Sequence, residues 1–390
     1  MTDKFTFHIM PPAHTVSNKE YSSCAYTQKV IKFGKMMTER GHEVVHYGHE
    51  DSDLICSEHV TVTTNKDLEI SYGNFDWRKN FFKFDLNDHV YKVQHENTIR
   101  EVAKRKKKND FLLPFWGAGN LPVCNAHSED MIVVEPGIGY ATGQFSPWRI
   151  YESYAIRSAV GGHQAVGQCQ ESWYHAVIPN YFDPEEFEFS KEKEDYLLFM
   201  GRIYPGKGID IAVQVCEKLG LKLKIAGQGS LEEHGYKEIP GQIEVIGYLN
   251  SEDRKRVLSK AKGFWLPSMF NEPFGGASIE ALFAGCPIIT TDWGSHAENN
   301  LHGVTGYRCR SFSEFSWAAK NIDKINPQDC RDWAMANFTL DRVARMYEHY
   351  FQMVHNVYTG KGWYTEDEHT DELEWLNRYY PAGIKTAPQA

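Results

Sequence analysis

The chain has 390 residues, room for two domains with real cores at about 100–200 residues each. Its 42% hydrophobic and 24% charged residues are an ordinary globular balance, which excludes a disordered or fibrous chain. With 42 Lys+Arg against 52 Asp+Glu the net charge is -10, and wholesale wrapping of nucleic acid or an anionic bilayer is not expected.

An alternating strand, Phe5–Ile9, opens the first half and is followed by a polar loop containing Pro11 and Pro12. A helix pattern runs from about Tyr26 to Arg40 and stops at Gly41, and the next strand is Glu43–Tyr47. Strand, helix, strand implies a right-handed parallel crossover and the start of a doubly wound sheet. Further strands are predicted at Phe111–Phe115 and Met131–Val134, with a basic helix, Asn97–Lys108, before the first; residues 50–95 show little periodicity. The second half reads more cleanly. Strands are predicted at Tyr196–Met200, Leu221–Ala226, Ile243–Ile246, Gly263–Leu266 and Pro287–Thr291, with helices at Ile209–Leu219, Ser251–Ala261 and Gly276–Ala284. Repeated βαβ units predict a second parallel sheet with helices on both faces. Pro179–Pro184 and Lys191–Asp195 read as the linker, and an amphipathic helix, Leu340–Tyr358, precedes a polar tail. The eight cysteines are scattered with no C-x-x-C pair, so reduced, mostly buried thiols are expected. No apolar run approaches the roughly 20 residues of a membrane span. The start, Met1-Thr-Asp-Lys-Phe5, lacks a basic-then-apolar leader, and a cytoplasmic location is the expectation.

Three glycine-rich turns, each after a predicted strand, carry the chemistry of the second half. In Glu272-Pro-Phe-Gly-Gly-Ala-Ser-Ile-Glu280, Gly275 and Gly276 let backbone N–H groups approach a ligand at a helix N-terminus, so an anion is expected there. Glu272 and Glu280 can face the same crevice, where carboxylates beside an anion make sense as ligands of neutral hydroxyls; a plain strand–turn–helix with exposed glutamates is the competing reading. Gly201-Arg-Ile-Tyr-Pro-Gly-Lys-Gly208 offers Arg202 and Lys207 as two fixed cations for a diphosphate. The third turn is Ala226-Gly-Gln-Gly229. Crevices at the carboxyl ends of parallel strands are where such sheets bind ligands.

Residues 176–309 resemble the C-terminal half of the family 4 retaining glycosyltransferases of the GT-B fold. The segments that match are 177–187 (VIPNYFDPEEF), 197–210 (LLFMGRIYPGKGID), 224–233 (KIAGQGSLEE), 246–250 (IGYLN) and 266–289, followed by TDWGSHAENN and HGVTG across 291–306. Glu272 and Glu280 fit the family's E-x7-E signature. The resemblance implies two facing Rossmann-like domains: an acceptor domain over 1–180, a donor domain over 181–338, and a crossover helix and tail over 339–390 returning to the first domain. It also implies a nucleoside-diphosphate sugar as donor substrate, with no cofactor. Arg202 and Lys207 would hold the diphosphate, Glu280 the ribose and Glu272 the transferred sugar. Phe274, Gly275, Gly276 and Ala277 would contact sugar and phosphate, and Gly201, Gly227 and Tyr248 would complete the donor site. Transfer with retention is the implied reaction, the leaving phosphate oxygen deprotonating the acceptor hydroxyl.

The first half departs from the family. A Gly-Gly loop is replaced by Pro11–Asn18, and where many members carry a histidine near the reacting centre, this chain has Glu135, either an acceptor-side group or a structural carboxylate. His14 is a second acceptor-side candidate. Residues 1–180 hold 19 Lys+Arg and 21 Asp+Glu, a net of -2, against 23 and 31, a net of -8, in the remainder. The dense basic run, Lys104–Lys108, reads either as a solvated helix end or as a landing patch for a polyanion through Lys106, Lys107 and Lys108. Hydroxymethylated bases of viral DNA are then one possible acceptor class, with Trp116 and Trp148 to receive a flipped base. Asp51-Ser-Asp53 formally matches a D-x-D metal motif but lies far in sequence from the donor loops, and no metal site is expected. A GT-B phosphorylase or epimerase, and a non-catalytic nucleotide-sugar-binding protein, are the alternative functions.

Overall fold

The computed structural model describes residues 3–80, 82–164, 172–237 and 240–363. The first sheet has seven strands: β1 (Thr6–Met10), β2 (Glu43–His49), β3 (Glu58–Thr63), β4 (Phe111–Pro114), β5 (Ile132–Ile138), β6 (Trp148–Tyr151) and β7 (His175–Val177). Their order is β3-β2-β1-β4-β5-β6-β7, all parallel. Helices α1 (Ala25–Glu39), α2 (Asn65–Tyr72), α3 (His89–Arg105), α4 (Leu121–His127) and α5 (Tyr154–Gln164) supply crossovers. The period of two along β1 and β4 sorts the core. Phe5, Phe7, Ile9, Phe111 and Leu113 face one layer, whereas Met10 and Leu112 join Val45 and Tyr47 in the other.

The second sheet is built from β8 (Glu194–Met200), β9 (Leu223–Ala226), β10 (Ile243–Gly247), β11 (Ala261–Leu266), β12 (Ile288–Thr291) and β13 (Gly306–Cys309), in the order β10-β9-β8-β11-β12-β13. It too is wholly parallel. Around it lie α6 (Ile209–Leu219), α7 (Ser251–Lys260), α8 (Gly276–Phe283), α9 (His296–Asn299), α10 (Phe312–Asn321) and α11 (Pro327–Asn337). Strand order reverses between β1 and β4 in one sheet and between β8 and β11 in the other. Such switch points open a crevice at the strands' carboxyl ends.

A final helix, α12 (Leu340–Tyr358), leaves the second sheet and packs on the first. Its apolar stripe, including Val343, Tyr347, Phe351 and Val354, is buried with Phe7, Phe33 and Phe111, the Phe351 ring lying 4.7 Å from Phe7 and 4.8 Å from Phe111. Glu348 fixes the rotation of the helix by accepting from Arg40 at 2.6 Å and pairing with His42 at 3.0 Å. Burial raises the Glu348 pKa, but those two partners outweigh it and hold the carboxyl down at about 2.

Several expectations need correction. The basic helix begins at His89 and ends at Arg105, because the polar residues 89–96 carry the buried positions Val90, Tyr91 and Gln94 on one stripe. Residues 50–95 contain β3 and α2, and β6, β7, β13, α10 and α11 went unrecognised as regular elements. Short strands such as the three-residue β7 give too few alternations to show a period. Seven of the eight cysteines are described, all as free thiols and six of them buried; Cys169 and the tail beyond 363 lie outside the described residues. Truncating Phe351 to Ala should destabilise the protein by about 3–5 kcal/mol, the usual cost of a deleted core aromatic, read as a lowered denaturation midpoint with unchanged far-ultraviolet circular dichroism below the transition.

Candidate functional site

At the second switch point the loop after β8 and the loop after β11 are tied together through one carbonyl. Gly206 O accepts from Met269 N at 3.0 Å and Phe270 N at 3.2 Å. This brings Lys207 onto Glu272 as an ion pair, and Ser268 Oγ donates to the same Glu272 oxygen at 2.8 Å. Burial raises the Glu272 pKa, yet the Lys207 ammonium and the Ser268 hydroxyl bring it below the ordinary carboxylate value. Arg202 is on the same loop, its guanidinium over the Tyr204 ring. The loop follows close backbone approaches: Gly227, at φ 141°, lies where a Cβ would strike the Gly201 carbonyl, and Gly208, at φ 72°, where it would strike that of Pro267.

Gly275 sits in the left-handed region at φ 74° as the N-cap of α8, followed by Gly276, so the first amides of α8 open into this crevice. Glu280, one turn inside α8, pairs with Arg254 of α7. Arg254 was not singled out from the sequence because it lies in a charge-rich helix with no motif around it. His296 was also missed. It is fully buried beside Gly275 and Glu272, both ring nitrogens lacking a protein partner, and burial brings its pKa down to about 4 despite the Glu272 charge.

The first switch point lies between the loop after β1 and the loop after β4, and it holds His14 and Trp116. The His14 ring stacks on Phe84 (centroids 4.7 Å, 13°), meets Trp116 edge-on at 5.2 Å and shares a 2.7 Å hydrogen bond with the Tyr91 hydroxyl. Tyr26 adds a further ring, 4.9 Å from Trp116. Of the first-half candidates, His14 and Trp116 are therefore brought together.

The other first-half candidates are not. Glu135 is fully buried within β5, and its carboxylate accepts from Tyr140 Oη at 2.8 Å and from the amides of Phe145 and Ser146, both at 2.9 Å. These contacts hold the 139–146 loop, and Arg149 of β6 stands 3.8 Å from the same carboxylate. Trp148 begins β6 and is buried against Tyr174, Tyr358 and Trp363, at the amino end of the sheet. Lys106, Lys107 and Lys108 precede β4, so they also lie at the sheet's amino end, away from both crevices. Lys106 pairs with Asp130 at 2.5 Å, and the Lys107 amide donates to Asp110 at 2.7 Å. Asp51 accepts from the Asn65 side chain at 2.7 Å, and the Asp53 amide donates to Ser17 O at 2.9 Å.

The two crevices meet across the domain boundary. Tyr248 Oη donates to Glu20 O at 3.0 Å and lies 2.9 Å from Ser22 Oγ. Gln228 Nε2 donates to Trp77 O at 2.5 Å. Glu298 of α9 accepts from the Tyr154 and Ala155 amides at 2.9 and 2.8 Å, capping α5 of the first sheet from the second domain.

Residues 183–332 match the family model described as glycosyl transferases group 1. An uncharacterized glycosyltransferase of Methanocaldococcus jannaschii is 25% identical over 202 residues, 45% of this chain and 50% of that one. The chain thus spans half or less of the length of the first curated relatives it matches. Among solved structures, AviGT4, a glycosyltransferase involved in avilamycin A biosynthesis, superposes with a TM-score of 0.67 at 19% identity, covering 90% of this chain and 98% of its own. Anabaena HepE in complex with UDP and glucose gives 0.63 at 14% identity, with 89% and 98% covered. The architecture is the GT-B fold, and residues 183–332 are of the group 1 glycosyltransferase type.

Two outcomes follow from this geometry. Gly227→Ala should lower the denaturation midpoint by a strain and clash cost of roughly 1–3 kcal/mol, more than Ala at Gly220, which has open space though a positive φ of 67°. His296 binds a proton near 6.5 in the unfolded chain but only at about 4 in the folded one. Stability should therefore fall as pH drops through that window, and the slope of the midpoint against pH should be shallower in His296→Phe.

Proposed function

We propose that the protein is a retaining glycosyltransferase that moves a sugar from a nucleoside-diphosphate sugar to an acceptor hydroxyl. The observation that carries the reading is the Lys207–Glu272–Ser268 constellation beside the open amides of α8, at the switch point of a parallel sheet. A cationic and amide-lined floor suits a diphosphate, and buried Glu272, deprotonated and fixed by two partners, suits the hydroxyls of the transferred sugar. In this reading Glu280, paired with Arg254, holds the ribose hydroxyls. HepE, solved with UDP, supports uridine diphosphate as the first nucleotide to test.

In this reading the acceptor oxygen bonds to the anomeric carbon on the face from which the diphosphate departs. The bond from that carbon to the phosphate oxygen breaks, and the acceptor's proton passes to the leaving phosphate. Arg202, Lys207 and the α8 amides stabilise the charge that develops there, a role for which no divalent ion is required. The acceptor lies in the first domain. DNA as acceptor loses its support, because the basic run lies at the opposite end of the sheet from the crevice. Among the described residues no helix is long and apolar enough to cross a membrane, and a cytoplasmic enzyme with reduced thiols is the matching setting.

Arg202→Ala and Lys207→Ala should each weaken UDP binding by about tenfold or more, the effect of removing a charge-assisted contact worth about 1.5–3 kcal/mol, as read by calorimetry. Glu280→Gln should weaken UDP itself, whereas Glu272→Gln should spare UDP and slow turnover of the UDP-sugar. Unchanged binding in both cation mutants refutes the donor site. Activity abolished by EDTA and restored by Mg²⁺ or Mn²⁺ refutes metal-independent stabilisation, and a product of inverted configuration refutes retention.

A further inference from the structure

The first-sheet crevice is built from rings rather than charges. His14 and Trp116 come from the loops either side of the switch point, Tyr26 from the first turn of α1, and Phe84 from the segment between α2 and α3. Phe84 is 44% exposed and Trp116 and Tyr26 are half-buried, so ring faces remain open to the crevice. Glycines make the room: a Cβ on Gly119 would strike the Trp116 indole, and one on Gly117, at φ 51°, would strike the Tyr140 hydroxyl. Glu135 accepts from Tyr140, whose ring lies 6.2 Å from Tyr26.

The polar group in this wall is fixed in orientation and charge. His14 Nδ1 shares a 2.7 Å hydrogen bond with the Tyr91 hydroxyl. The Nε2 of the ring has no partner among the described residues and can hydrogen-bond to a ligand hydroxyl. Burial keeps His14 neutral by bringing its pKa down to about 4, against the opposing pull of Asp88. Of the charges on the segment between α2 and α3, Lys79 pairs with Asp76 at 3.8 Å and Arg78 with Glu20 at 2.5 Å. Lys29, beneath the Tyr26 ring, is buried and paired with Glu152.

We propose that this crevice holds an uncharged sugar ring as acceptor, its C–H face stacked on the exposed Phe84 ring, its edge against Trp116, which stands at 77° to Phe84, and one hydroxyl hydrogen-bonded to His14 Nε2. A ring with an apolar face and hydroxylated edges meets aromatic faces and an imidazole in this wall. The wall also runs on to the donor domain. His14 lies 5.9 Å from Phe82, Phe82 6.0 Å from Trp77, and Trp77 5.8 Å from Tyr248, the residue of the second domain that hydrogen-bonds to Glu20. Closure of the two domains therefore sets the acceptor ring against the donor.

This assignment rests on the glycosyltransferase reading, and the test separates the two. Full-length protein is titrated with UDP by calorimetry, which reports the donor site alone. UDP-saturated protein is then titrated with methyl β-glucopyranoside, maltose and cellobiose, with a sulfated disaccharide and with p-nitrophenol, following tryptophan fluorescence. The expected result is saturable binding of at least one neutral saccharide, with a Kd indifferent to salt. Phe84→Ala and Trp116→Ala should each raise that Kd by about tenfold and leave the UDP Kd unchanged. His14→Gln, which keeps an N–H donor, should bind more tightly than His14→Phe. Failure of every neutral saccharide, preference for the sulfated disaccharide with a salt-dependent Kd, preference for p-nitrophenol, or unchanged binding in both ring variants overturns the proposal while UDP binding stands. Loss of UDP binding in the wild-type chain refutes the donor reading instead.

Discussion

Parallel pairing in both sheets is the constraint on which the rest of the structure depends. When all strands run one way, every loop that follows a strand emerges on the same rim, and every loop that precedes one emerges on the other. His14, Trp116, Arg202, Lys207, Glu272 and Gly275 all follow strands, and so they share the rims that face each other across the boundary. Lys106–Lys108 and the start of β6 precede strands. No side-chain rearrangement can carry them to the crevice, because the hydrogen-bonded register of the sheet fixes their end.

The two crevices differ in the physics they use. The second is electrostatic: a buried carboxylate is kept ionised by an ammonium and a hydroxyl, next to backbone amides and an arginine. A lone buried carboxylate would be strongly disfavoured, and pairing is what makes Glu272 tolerable there. The first is aromatic, with its one imidazole held neutral. Opposite polarity in the facing halves suits a charged ligand on one side and an uncharged one on the other.

Contacts across the boundary are few-atom and polar at its edges, with an aromatic seam between. Glu298 caps α5 of the opposite domain, and Tyr248 and Gln228 donate to backbone carbonyls of the first domain. Helix α12 adds a second, covalent tie, leaving one domain and completing the core of the other. Polar sutures of this kind exchange readily with water, whereas the apolar stripe of α12 does not.

How far the sequence reached follows from the range of the interactions involved. Helix α12 and helix α6 were legible to the residue, because an apolar stripe at helical spacing, and for α6 a terminating Gly220, are local signals. The glycine turns of the second half were legible for the same reason, since positive φ and close backbone approach restrict residue type at each position. By itself the sequence therefore determined two parallel α/β units and the loops that carry Arg202, Lys207, Glu272 and Glu280. Tertiary structure alone decided what those residues meet. Arg254 reaches Glu280 from a helix 26 positions away, and His296 is buried against Gly275 with no motif to mark it. It likewise buried Glu135 against the 139–146 loop, and brought the rings of residues 14, 26, 84 and 116 together, away from the lysine run. The physical reason is the sheet: strand order and direction bring distant loops to one rim, and nothing within any single loop encodes which others will stand beside it.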